Sequence, residues 1–159
     1  MKGTIIAVVV TLLLIAGIVF SYRSPEATAT YWKNTRIACL PNGHTNLGTH
    51  IHAKLAITVQ TGESTTTETV PANIGVSSAC LAEVHTHETD NIIHIETPDA
   101  DATRTLGDFY QVWGKEIARP GFDLEISVDG EKRDGPLPED LILKDGETIE
   151  LEYTKSKSS

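Results

Sequence analysis

The sequence predicts an α+β fold: a mainly antiparallel β domain with one short aromatic helix, carried behind one N-terminal transmembrane helix. Three observations predict it. Residues 3–22 hold no charged side chain. Beyond them, apolar residues recur at every second position in several separate runs, as in half-buried strands. Over residues 104–117 alone the spacing changes to three and four, as on one face of a helix.

As a helix, residues 3–22 would span about 30 Å, the thickness of a hydrocarbon core. A cleaved signal peptide has a shorter apolar stretch, about 7–15 residues. The nearest small-x-small triplet, Ala27-Thr28-Ala29, lies beyond Arg23, Pro25 and Glu26. The expectation is therefore an uncleaved signal anchor over residues 1–22, giving a single-pass protein of the cell membrane. Secretion after cleavage is the alternative. Lys2 favours a cytoplasmic N-terminus. In either case residues 23–159 lie outside the cytoplasm.

Residues 23–35 are polar and read as a linker, with Tyr31-Trp32 able to pack on the domain or at the lipid interface. A single extracytoplasmic β-rich domain is expected over 36–154. It opens on a short strand at 36–40, stopped by the turn residues Pro41-Asn42-Gly43. Residues 50–59 alternate. Ile51, Ala53, Leu55, Ile57 and Val59 share the face to be buried, and His50, His52, Lys54, Ala56 and Thr58 share the other. A turn at Thr61-Gly62 leads into a Thr-rich run, 65–70, expected as an exposed edge strand. Runs 80–87 and 91–96 read as a hairpin around Glu88-Thr89-Asp90-Asn91.

Thr105-Leu106-Gly107-Asp108 reads as a helix start, and Leu106, Phe109, Tyr110 and Trp113 form its apolar face. Gly114 is the stop. After Pro120-Gly121, Leu124, Ile126 and Val128 mark a strand closed by Asp129-Gly130. Leu141-Ile142-Leu143 reads as a short buried run. Asp145-Gly146 is a hairpin signal before a last strand with Ile149, Leu151 and Tyr153. Residues 155–159 form a polar tail.

Charge and cysteine content narrow the function classes. Beyond Tyr22 the chain carries 22 acidic and 12 basic side chains, a formal −10. That field repels phosphate backbones, so nucleic acid is not an expected partner. Two cysteines, Cys39 and Cys80, in an oxidising compartment favour a disulfide closing a loop of about 40 residues. Thiolate ligation of a metal is the competing use.

Five of the six histidines fall in clusters: His50-Ile51-His52, then His85-Thr86-His87 followed by His94-Ile95-Glu96. A His-x-His pair on a strand places both rings on one face, and neutral imidazole is the commonest metal ligand. The hairpin parity extends this. With a four-residue loop at 88–91, His85 faces His94 and Glu83 faces Glu96. With a two-residue loop, His87 faces His94. Either even loop puts His85, His87, His94 and Glu96 on one face. The expected ligand set is therefore His50, His52, His85, His87 and His94. Glu96, Glu83 or Asp90 would add an oxygen or orient a ring. His44, alone in a Gly-rich loop, is expected to be a bystander. The only methionine is Met1, so a Met-rich Cu(I) carrier is disfavoured and Cu(II) or Zn(II) fits best.

The ordered string Val70-Pro71-Ala72-Asn73-Ile74-Gly75, His85-Thr86-His87, Ile93-His94-Ile95-Glu96, and Leu106-Gly107-Asp108-Phe109-Tyr110 with Trp113-Gly114 resembles a family of uncharacterised exported bacterial and archaeal proteins. Their pattern runs IPA-IG, HTHD, GIIHIE and LGxFFxxWG. Glu88 stands here for the usual Asp, and Asn91 for the usual Gly. The resemblance covers residues 48–115. It implies a site at 50, 52, 85, 87 and 94, and it implies no particular activity.

The functional expectation is a membrane-anchored, extracytoplasmic protein that handles or senses copper or zinc. A non-catalytic module with a structural histidine network, binding a cell-surface protein, is the alternative. A metal-dependent hydrolase or oxidoreductase, with Glu88 or Glu96 as base, comes third. No Gly-x-Ser-x-Gly, His-Glu-x-x-His or phosphate-cradling loop supports catalysis.

Overall fold

The computed structural model describes residues 30–135 and 137–157. The expected anchor, 1–22, lies outside the described residues. Among those described, no helix is long and apolar enough to cross a membrane.

Seven strands form one sheet. They are β1 (Thr49–Thr61), β2 (Ser64–Glu68), β3 (Val84–His85), β4 (Ile92–Thr97), β5 (Phe122–Val128), β6 (Glu131–Lys132) and β7 (Thr148–Lys155). Their order is β3-β4-β1-β7-β5-β6, with β2 paired to the second half of β1. One helix, α1 (Leu106–Trp113), and a single 3-10 turn, Pro138–Asp140, complete the described elements. The fold is α+β and β-rich, with antiparallel pairing in all but one ladder.

The exception is β1 against β7, which run parallel with Leu55 opposite Ile149 and Ile57 opposite Leu151. That register brings two apolar rows onto the same side of the sheet. Asp145-Gly146 therefore does not close a hairpin between neighbours, as its composition suggested. It turns the chain into β7, and it docks on the start of β1. The N–H of Gly146 donates to the carbonyl of His52 at 2.8 Å, and an Asp145 carboxylate oxygen accepts from the N–H of His52 at 2.9 Å.

The core lies on one face of the sheet. Ala53, Leu55 and Ile57 of β1, Ile93 and Ile95 of β4, and Ile149, Leu151 and Tyr153 of β7 share it with Leu106, Phe109, Tyr110 and Val112 of α1. The helix ends are local chemistry. The Thr105 hydroxyl accepts from the N–H of Asp108, and the Asp108 carboxylate accepts from the N–H of Thr105, a reciprocal capping box. Gly114 closes the helix in the left-handed region at φ 74°.

Two further expectations need correction. Residues 36–40 make isolated bridges, Tyr31 to Ala38 and Cys39 to Ala82, rather than a continuous strand. Their anchors are covalent and apolar instead. Cys39 and Cys80 form a disulfide with Cα atoms 5.2 Å apart. Trp32 is buried, its indole N–H donating to the Val112 carbonyl at 3.1 Å. The run at 141–143 also alternates. Leu141 and Leu143 are buried, while Ile142 points outward and bridges Thr105.

Candidate metal centre

Strand pairing sets the positions of the histidines. In the β1–β4 ladder His52 lies opposite His94 and His50 opposite Glu96. In the β3–β4 ladder His85 lies opposite His94. Of the two even registers open to the hairpin, this is the one in which His85 faces His94; pairing stops there, and residues 86–91 connect the strands. Directly opposed residues share a face, so one row crosses three strands as His85, His94 and His52. The core-side neighbours Ala53, Val84, Ile93 and Ile95 are buried on the other face. Asn91, at the end of the loop, has φ 64°, a left-handed value that Asn tolerates better than most residues. Its side-chain oxygen accepts from the Val70 N–H at 2.8 Å, tying the hairpin to the chain after β2.

All five expected histidines converge, and His44 joins them. His94 is the hub. Its ring centroid is 4.6 Å from those of His52 and His87, 5.5 Å from His85 and 6.4 Å from His50. His85 and His87 are 4.6 Å apart, and His44 is 5.0 Å from His87. The donor atoms fall into two groups, each with all members within 4.8 Å of one another. One is His44, His85, His87 and Glu96; the other is His50, His52 and His94.

His44 is the residue that sequence reasoning missed. It is brought in by the disulfide and by a close backbone approach. Cys39 lies five residues before His44, and Cys80 five before His85. The expected disulfide was therefore itself a signal that the His44 loop folds toward His85. At the end of that loop, the N–H of Gly48 donates to the Thr97 carbonyl at 2.9 Å. A Cβ on Gly48 would lie 2.6 Å from backbone atoms of Pro98 and Ala100, so only glycine fits there.

Glu96 is more central than a ring-orienting partner. It is 1% exposed, and its two carboxylate oxygens diverge to different groups. Oε2 is 2.6 Å from Nδ1 of His44, and Oε1 is 3.2 Å from Nε2 of His50. Of the other carboxylates considered, Glu83 is occupied by an ion pair with Arg104, and Asp90 accepts from the N–H of Ile92 within its turn. The disulfide removes both thiolates from the ligand set.

Two rings, the buried His85 and the half-buried His94, are held neutral. Burial pushes the His85 imidazole down to about 4, partly offset by its hydrogen bond to the Ala82 carbonyl and by the Glu96 carboxylate. Burial, with the neighbouring His87 and His52, pushes His94 down to about 4 as well. The Ala82 carbonyl also fixes the tautomer of His85. It can only accept, so Nδ1 at 2.8 Å carries the proton and Nε2 is left with its lone pair, 3.0 Å from Nε2 of His87. Nδ1 of His94 is buried with no hydrogen-bond partner. Six imidazoles, one buried carboxylate and no thiolate form a nitrogen and oxygen donor set for a divalent cation.

No protein-family model, no curated protein and no solved structure matches this chain.

Proposed function

We propose that the chain is a membrane-anchored, extracytoplasmic protein that binds Cu(II) or Zn(II) through its histidine cluster, for handling or sensing the ion. The carrying observation is the convergence of all six histidines and the buried Glu96 into two compact donor groups. Imidazole and carboxylate ligands without sulfur suit Cu(II) and Zn(II). The resemblance of its ordered motif string to that of an exported family implies the same residues. The anchor over residues 1–22 belongs to this proposal, on the length of its apolar run.

A purely structural histidine network accounts for less. It would be expected to satisfy its buried polar atoms, yet Nδ1 of His94 has no partner. Catalysis draws no support beyond the metal ligands themselves.

The test is thermal unfolding of the full-length chain in mild detergent, with and without Cu(II) or Zn(II). Free metal at 100 times its Kd stabilises the folded state by about 2.7 kcal/mol, or roughly 10 °C in Tm. An unchanged Tm with both ions would contradict the proposal.

A further inference from the structure

We propose that the cluster is a two-metal centre, with Glu96 bridging the ions. This rests on the metal-binding reading and goes beyond it in stoichiometry and ligand assignment. One ion takes His44, His85 and His87, and the other takes His50, His52 and His94. Each also receives one oxygen of Glu96.

Distance argues first. Ligands on one zinc- or copper-sized ion sit about 2.0–2.2 Å from it, so no two of them are more than about 4.4 Å apart. Six imidazoles and a carboxylate exceed the four ligands such an ion ordinarily takes. Here the donors separate into two groups of three histidines, each with its donor atoms within 4.8 Å of one another, so an ion draws the widest pair in by at most about 0.4 Å. The groups are built from different pieces of chain. The His44 loop and the β3 end supply the first, and facing positions of β1 and β4 supply the second.

Glu96 argues next. It is the carboxylate that touches both groups, through different oxygens, at 2.6 Å from His44 and 3.2 Å from His50. In the metal-free protein those oxygens accept ring N–H bonds. With ions bound, the same lone pairs face the two cations, and each ring presents its unprotonated nitrogen to an ion while the other nitrogen keeps the N–H. A carboxylate buried to this degree is costly without compensating cations. His85 and His94, stacked at 5.5 Å with an interplanar angle of 13°, form the wall between the groups, one on each side. Two ions sharing a carboxylate is the arrangement of two-metal sites.

The test is Cu(II) titration of the full-length chain, read by bound copper per chain and by electron paramagnetic resonance. The expected result is two Cu(II) per chain with a double-integrated signal well below two spins, because the bridged ions couple. His50→Ala, at a ring that is half exposed, should lower the stoichiometry to one and restore a full isolated spin. His44→Ala should do the same from the other side. Both variants leave the apolar core intact and remove one hydrogen bond from Glu96, so the metal-free protein should still unfold cooperatively, with Tm lowered by no more than about 10 °C. Glu96→Gln should uncouple the spins. Saturation at one copper would overturn the two-metal assignment, and two copper ions with a full two-spin signal would overturn the Glu96 bridge; either result leaves metal binding standing. No bound copper would overturn both.

Discussion

The proton on Nδ1 of His85 is held by the Ala82 carbonyl, and that one hydrogen bond decides which nitrogen faces the cluster. Its fully buried ring has a second consequence. Folded His85 titrates near 4, whereas an exposed histidine titrates near 6.5. The folded state therefore binds fewer protons than the unfolded state between those values. Stability from this group is complete above about pH 6.5 and is lost as the pH falls toward 4. The expected loss in the metal-free protein is on the order of 2–3 kcal/mol. Denaturant midpoints at pH 7.5 and 4.5 measure it together with the like contribution of His94, and His85→Asn should remove about half of the dependence. An equal slope in parent and variant would contradict the assignment. At this scale the clustered histidines were legible because His-x-His spacing and strand parity are local. His44 was not, because its approach depends on the disulfide and on backbone packing at Gly48 rather than on any neighbour in sequence.

The elements divide in the same way. The helix was legible nearly to the residue, since Thr105, Asp108 and Gly114 are caps that act within one turn. Thr105→Ala should cost about 1 kcal/mol, measured by urea unfolding, with metal affinity unchanged. A loss of affinity would show that the helix takes part in the site. The hairpin register was narrowed by parity to two even loops, and the His85–His94 pairing is one of them. The parallel β1–β7 ladder joins segments about 95 residues apart, and no turn composition announces such a pairing. Asp145-Gly146 was misread for that reason. The disulfide acts between elements. It closes a 41-residue separation and steers the His44 loop onto β3. Its reduction should cost about 2–4 kcal/mol. It should also weaken binding at the His44 group while leaving His50, His52 and His94 in place. Isothermal titration with and without reductant tests this, and equal affinities would contradict the steering role.

Across the whole molecule, the sheet separates two jobs. One face packs nine buried apolar strand residues in a core with the aromatic helix, and the other presents the histidines at one end. Farther along that second face, Glu125, Glu150 and Glu152 line a shallow cleft with Ala56, Thr58 and Ser127. The chain's net negative charge gives the histidine end a surrounding field that attracts cations. The β-rich class was legible because alternation recurs along the chain. The closing of six histidines around one carboxylate was not, since it needs two ladders, a disulfide and a loop at once. The proposed function requires that this closure hold divalent metal. Equilibrium dialysis against Cu(II) or Zn(II), followed by metal analysis of the full-length chain, tests it most directly. Retained metal in the parent, lost when His85→Ala is combined with His87→Ala, is the predicted result. A parent that retains neither ion, or a double variant that retains as much as the parent, would contradict it.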